Sequence, residues 1–548
     1  MIDPSTAKVL SPAFRTVELR PAAPRDAQLA QVLGRILASG SDGRIAINVA
    51  TGCNGYGVRA VPCPEALAFS SSTASTISPR AFAAVEAAYS TLFRGAADAS
   101  LASVFETAVE KMRRELKALL ELDICDSDIV FSPSGTDSEI HALHLARLWH
   151  AHSGGGEITS IVVAAEETGS GVPLAATGCH FNATTSAGTK AAKGQTVAGM
   201  DGITHVSIPV RDAQGTCDLA RIDEDVSRAV AQAIKAGRRV VLHVMHHSKI
   251  GTRSPSAACV AELRAKHGMH IQFVLDACQF RLSRRKLRQY LEQGFLVLVT
   301  GSKFFAGPPL SGAVIVPEQF RARIAADTKI PPGLADYSTA YDWPESLAGI
   351  REQLPRRENL GQYLRWVAAL TEMKAYFAVP ELYRRLALGE LSLSVGRMFE
   401  KRGDLTLLPD PAWVSDEADM DDEFSVRTVF PFVVKRNGVP ISAAEARTIY
   451  RALNDDVCEI VSCEGQERLA ATICHIGQPV AVEMDGAETG ALRISADARL
   501  VSECFVGPNV LDAIAALKKR SGDVDVVLDK VALLARNLDR LMPIYKET

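Results

Sequence analysis

Long apolar runs are missing from this chain: nothing in its 548 residues approaches the ~20 consecutive apolar positions that a membrane-spanning helix requires. The opening "MIDPSTAKVLSPAF" has no basic segment followed by an apolar one, so the expectation is a cytoplasmic protein with no membrane partner. An excess of one charge is missing too. Lysine and arginine number 60 against 64 aspartates and glutamates, a net charge of −4, which supplies no electrostatic footprint for nucleic acid. The eleven cysteines are odd in number, scattered and never spaced CxxC, which argues against a disulfide framework and a zinc knuckle. Repeats and low-complexity tracts are absent as well. What is there is an ordinary globular composition, 47% apolar, long enough for two or more domains, with small-molecule chemistry as the default.

Residues 1–65 read as an extension lying over the main body, with a short helical stretch near 26–38 and then "NVATGCNGYGVRAVPCPE", whose "GCNGYG" reads as a flexible turn, like "GGG" at 154–156. From Pro79 two amphipathic helices are expected. Short apolar runs then alternate with helical stretches: "DIVFS", a helix over 137–149, "SIVVAA", "HVSIPV", a helix over 219–236, "VVLHVM", a helix over 257–266, "IQFVLDA", "FLVLVT" and "GAVIVP". That rhythm predicts a largely parallel sheet covered on both faces, with chemistry in the loops just after the strands. Beyond about 345 the mixture of long helices and short strands reads as a smaller α+β domain. The domains are thus expected at 66–345 and 346–548.

Three post-strand loops carry the functional reading. "FSPSGTDSE" opens a helix whose first N–H groups, from Gly135, Thr136 and Asp137, suit a dianionic phosphate; by itself it is equally a helix start with Ser134 or Thr136 as the N-cap. "QFVLDACQF" ends an apolar strand on Asp276, with Gln279 three positions on; a carboxylate there needs a cation or several donors unless it is a simple N-cap. "VTGSKFFAGPPLSG" places Lys303 just past an apolar strand, as a solvated cation or something more specific. A phosphate cradle, an acid for a protonated pyridine nitrogen and an imine-forming lysine together are what pyridoxal phosphate demands.

On these residues the chain resembles the fold-type I pyridoxal-phosphate enzymes, specifically the class V aminotransferase and cysteine desulfurase superfamily. The family's Asp-x-x-Gln is matched by Asp276-Ala-Cys-Gln279, and its Ser/Thr-Gly-x-Lys by Thr300-Gly-Ser-Lys303, 27 residues after the acid. "GPPLSGA" is similar to its Gly-Pro-x-Gly segment. "SSSTASTISPRAF" resembles the segment lining the substrate side, through Thr73 and Ala74. "HHSKIGTRSP" places Ser248 where an Asn commonly contacts the cofactor's phenolic oxygen, and "ALRISADAR" places Arg493 where an arginine binds a substrate carboxylate; as a bare sequence feature Arg493 is equally a surface strand residue. The resemblance covers about 66–320 well and the rest thinly.

The resemblance implies an α/β fold-type I architecture, a large domain with a mostly parallel sheet between helices plus a smaller C-terminal α+β domain. It implies a homodimer and an enzyme using pyridoxal 5'-phosphate on an amino acid or primary amine. Lys303 forms the internal aldimine and then moves protons. Asp276 keeps the pyridine protonated and Gln279 meets the phenolic oxygen or imine. Gly135, Thr136, Asp137, Thr300 and Ser302 hold the phosphate, Asp137 through its N–H alone. Aminotransferase-like chemistry comes first. The alternatives are cysteine desulfurase or another C–S or β-lyase, and a non-catalytic protein that keeps the fold.

Several positions depart from the family. Where a His often covers the cofactor this chain has Glu167, then Thr168; Glu167 reads as a solvated loop carboxylate or a general base. Ser302 stands where desulfurases often have His. Near "ATICHIGQPVAVEMDG", Cys474 or Cys463 is either a mobile nucleophile or a buried structural thiol. Strand alternation sends His243 and His247 to one face and His246 to the other, which favours one of them near the cofactor over a metal site.

Overall fold

The computed structural model describes residues 24–49, 51–70, 74–212, 215–324, 328–409, 422–484, 486–507 and 509–545. In chain order the strands are β1 (Leu67–Phe69), β2 (Asp128–Ser132), β3 (Ile158–Val163), β4 (Ile203–Ile208), β5 (Arg239–His246), β6 (Arg253–Ser254), β7 (Ile271–Asp276), β8 (Leu296–Thr300), β9 (Gly312–Val316), β10 (Leu405–Leu407), β11 (Val429–Arg436), β12 (Val439–Pro440), β13 (Cys474–Met484) and β14 (Ala487–Ser495).

The larger sheet has the order β2-β9-β8-β7-β5-β3-β4, with β6 paired to β5. Strands β8, β7, β5, β3 and β4 run parallel; β9 is antiparallel to both β2 and β8, so β2 points the same way as the parallel set. Successive residues of each strand enter different cores. Val240, Leu242 and Val244 join Phe273, Leu275, Val297 and Val299 on one face. Val241, Val274, Leu296 and Leu298 pack with Ile140, Leu143 and Ala146 of the helix Gly135–Ala151 on the other. This is why the strands read as unbroken apolar runs rather than alternating ones.

The smaller sheet has the order β1-β13-β14-β11-β10, with β12 against β11, and is antiparallel except at β1. Strand β1 lies parallel to β13, with Leu67 opposite Cys474 and Phe69 opposite Ile476, so residues near 67 complete a sheet otherwise built after residue 400. Helices Leu360–Phe377, Glu381–Glu400, Ala443–Ala452 and Val510–Arg536 accompany it. The expected α/β architecture, a mostly parallel sheet between helices and a smaller α+β unit, is what the chain forms.

One buried side chain ties distant segments together. Arg365, in the helix Leu360–Phe377, donates from Nε to Leu310 O at 2.6 Å, from Nη1 to Leu37 O at 2.9 Å and Ser39 O at 2.5 Å, and from Nη2 to Gly40 O at 3.3 Å. Three of these acceptors lie at the C-terminal end of the helix Pro24–Leu37, where carbonyls lack partners of their own and the helix dipole favours a cation. Burial holds its pKa down to about 9, which leaves it cationic at neutral pH.

Candidate active site

At the carboxyl edge of the larger sheet, β2 ends and Ser134 caps the helix Gly135–Ala151, its Oγ accepting from Asp137 N at 3.2 Å. The N–H groups of Gly135 and Thr136 are left with no protein acceptor among the described residues, the arrangement that receives an anion. Gly135 is required by contact: a Cβ there would lie 2.8 Å from Cys278 Sγ and 3.0 Å from Thr300 Cγ2. All three loops singled out in the sequence therefore touch at this one residue.

Asp276 ends β7 and is buried. Its Oδ1 accepts from Cys278 N at 3.0 Å, and the Cys278 thiol also lies against this carboxylate. Deeper in the fold, Glu139 Oε2 lies 3.0 Å from His243 Nδ1, and His243 Nε2 is 3.1 Å from Ser160 Oγ. Burial pushes the Glu139 carboxyl up; His243 opposes that shift and the charge of Asp276 adds to it. Gln279 Oε1 accepts from Arg281 Nη1 at 2.9 Å. Arginine is donor only, so this contact fixes the amide with its NH₂ as the end available to a ligand.

Lys303 is half-buried and follows β8 by three residues. Its loop is tied to the Asp276 loop twice, by Phe304 N to Gln279 O at 3.3 Å and by Thr300 Oγ1 to Cys278 O at 2.7 Å. The Thr300 hydroxyl proton is thereby committed to a carbonyl. Ser302 is buried with no hydrogen bond from its hydroxyl among the described residues, and so remains a donor.

Three other predicted residues are also engaged. The Ser248 hydroxyl donates to Glu167 Oε2 and accepts from Ile250 N at 3.2 Å and Thr252 N at 3.0 Å. Asp137 N is taken by the Ser134 cap, and its carboxylate accepts from the Ser134 hydroxyl and from Ser186 Oγ at 2.5 Å. Burial, then the nearby Asp42, raises the Asp137 pKa to about 6, against the pull of the two hydroxyls and Arg44. Arg493 uses Nε on Gln478 O at 2.8 Å and Nη1 on Lys249 O at 3.0 Å, which leaves Nη2 without a partner among the described residues. It is 2% exposed, so it is no surface strand arginine. Ala74 is buried; Thr73 lies outside the described residues.

Glu167 is not the solvated carboxylate expected. It is 2% exposed, accepts from Arg211 Nε at 2.8 Å and from Ser248, and burial pushes its pKa up against these partners. The alternation assumed for the histidines also fails, because β5 ends at His246 and His247 has φ 62°, outside any strand. Cys474 is fully buried on β13, and burial pushes its thiol up to about 11, the state of an unreactive cysteine.

Two site residues escaped the sequence reading. Arg44 reaches from the extension to Thr136 Oγ1 at 3.3 Å and Ser134 Oγ at 3.2 Å, and pairs with Asp42 at 2.6 Å. Burial opposes its charge, but Tyr56, Asp42 and Asp137 outweigh that and hold it above the ordinary arginine value. "GCNGYG" is not a loose turn: Asn48 N donates to Cys53 O at 2.8 Å, Gly55 N to Arg44 O at 3.1 Å, and Tyr450 Oη to Tyr56 O at 2.6 Å. The second is Lys249, held between Glu167 and Arg493 through its own backbone. The only local sign of Arg44 is the Asp-Gly-Arg turn capped by Asp42.

No family model matches this sequence, and no curated protein matches it. Among solved structures the chain is similar to mouse CSAD in apo form (16% identity, 81% of this chain and 81% of that one, TM-score 0.44). It is also similar to a NIFS-like protein (13% identity, 83% and 98%, TM-score 0.45) and to ureidoglycine–glyoxylate aminotransferase from Bacillus subtilis (13% identity, 89% and 100%, TM-score 0.45).

Proposed function

We propose that this chain is a pyridoxal-phosphate-dependent enzyme acting on an amino acid or other primary amine, with class V aminotransferase-like transfer as the favoured reaction. The observation that carries the proposal is the junction at Gly135, where an anion-ready helix start, the Asp276 loop and the Lys303 loop meet with no room for a single methyl group. The donor set suits the cofactor. The Gly135 and Thr136 N–H groups, the Ser302 hydroxyl and the Arg44 guanidinium serve a phosphate; the Asp276 carboxylate serves a ring N–H; the Gln279 amide NH₂ serves a phenolic oxygen. The Asp137 carboxyl is the one ill-suited neighbour, and Ser134, Ser186 and Arg44 temper it.

When bound, the cofactor withdraws electrons from the substrate's α-carbon. The chain's own residues do the rest. Asp276 keeps a proton at the ring nitrogen. Lys303 Nζ carries the proton to and from the substrate's Cα. Arg493 Nη2 orients the α-carboxylate. Desulfuration asks for a mobile thiolate; Cys474 is buried, and the half-buried Cys463 directs its thiol to Cys458 O at 3.7 Å. A homodimer, a cytoplasmic location and the division at 65 and 345 belong to the same proposal.

The test is uptake of pyridoxal phosphate by the purified chain, with a visible band and, after borohydride, a pyridoxyl mass on the Lys303 peptide; a chain that stays colourless ends this reading. Cysteine should release little sulfide, and Cys474→Ser should keep the rate within about twofold. Arg44→Ala should weaken the cofactor about 10- to 100-fold in equilibrium dialysis, the range of one charge-assisted contact.

A further inference from the structure

Charges around the lysine loop are unevenly paired. Arg44 has Asp42 at 2.6 Å and Arg211 has Glu167 at 2.8 Å, whereas Lys249, Lys303 and Arg493 have no carboxylate partner among the described residues. Lys249 and Arg493 are one unit: Arg493 Nη1 donates to Lys249 O at 3.0 Å, and Lys249 N donates to Glu167 O at 3.0 Å. Apart from burial, the charges that act most on the Lys249 ammonium are Arg493, Lys303 and Arg44, all of its own sign. Glu167 is the acid opposing them, and both its oxygens are occupied, by Arg211 and by Ser248.

Burial and then these cations hold the Lys249 pKa down to about 7, so an anion arriving beside it would favour the charged ammonium. Under the cofactor reading, on which this inference rests, the phosphate would belong to Arg44 and the helix start, Lys303 would be taken up in holding the cofactor, and Arg493 Nη2 would meet the α-carboxylate. Lys249 is the amine left without an assigned anion. We propose that Lys249 and Arg493 form a two-cation seat for an amino-acid substrate with a second anionic group, a carboxylate, sulfonate or phosphate, on its side chain.

Amine-free analogues test this without turnover. The protein loaded with pyridoxal phosphate is titrated with succinate, glutarate, 3-sulfopropionate and 3-phosphonopropionate, and with propionate and butyrate, by calorimetry and by perturbation of the visible band. At least one dianion should bind about 30-fold tighter than the monoanions. Lys249→Gln should erase that gap while leaving propionate within about twofold, and Lys249→Arg should keep most of it. Dianions no tighter than propionate, or a Lys249→Gln variant that weakens both classes alike, would overturn the inference alone. A protein that takes up no pyridoxal phosphate overturns it together with the reading beneath it.

Discussion

Lys303→Met should lower kcat/KM for any accepted amine by at least about 10³-fold, because it removes both the covalent anchor and the group that moves the proton. Borohydride should then fix no label on the 299–312 peptide. The loop itself should survive, since Phe304 N, Gly307 N and the Thr300 hydroxyl hold it through acceptors that the substitution does not touch. The melting temperature should stay within a few degrees of the parent's, which separates lost chemistry from lost fold. A variant that keeps a tenth of the parent's rate would transfer the role to another amine, and Lys249 is the neighbour to examine.

Gly312→Ala should have the largest structural effect of any single methyl group added near the site. Gly312 opens β9 between Ser132 and Thr300, and a Cβ there would overlap the carbonyl of Ser134 and the Ser132 hydroxyl. Relief by shifting β9 is blocked because Gly312 O accepts from Trp366 Nε1 at 3.1 Å. We expect a loss of about 3 kcal/mol in chemical denaturation, the upper range for overpacking, and at least tenfold weaker cofactor binding as the cap is displaced. Gly389, in the helix Glu381–Glu400 with open space around it, is the control: Gly389→Ala should gain about 0.5–1 kcal/mol.

How much of this was legible follows from how far each interaction reaches along the chain. Strands covered on both faces announce themselves as apolar runs, and the loops that follow them were found because parallel sheets put chemistry there. The loops that carry Gly135, Asp276 and Lys303 come together, with Cys278 and Thr300 against Gly135. The Arg44 contact joins residues about 90 apart with no periodicity between them, so only the folded chain reveals it. Ser248 and Glu167 each read as independent site groups, yet they satisfy one another across 81 positions. The helix Glu381–Glu400 is hard to place from sequence because Leu382, Leu386 and Leu393 stay exposed and two glycines interrupt it, which blurs the apolar stripe. His247 was assigned to a strand face that its positive φ does not continue.

The buried guanidinium of Arg365 has a kinetic meaning. Lifting residues 37–44 away would strip it of the Leu37, Ser39 and Gly40 carbonyls in an interior that supplies no replacement. The segment carrying Arg44 therefore opens as part of a cooperative local unfolding step and not as a hinged flap. Under the proposed reading, a phosphate held by Arg44 should leave more slowly in the parent than in an Arg365→Ala variant, as followed by loss of the visible band on dilution.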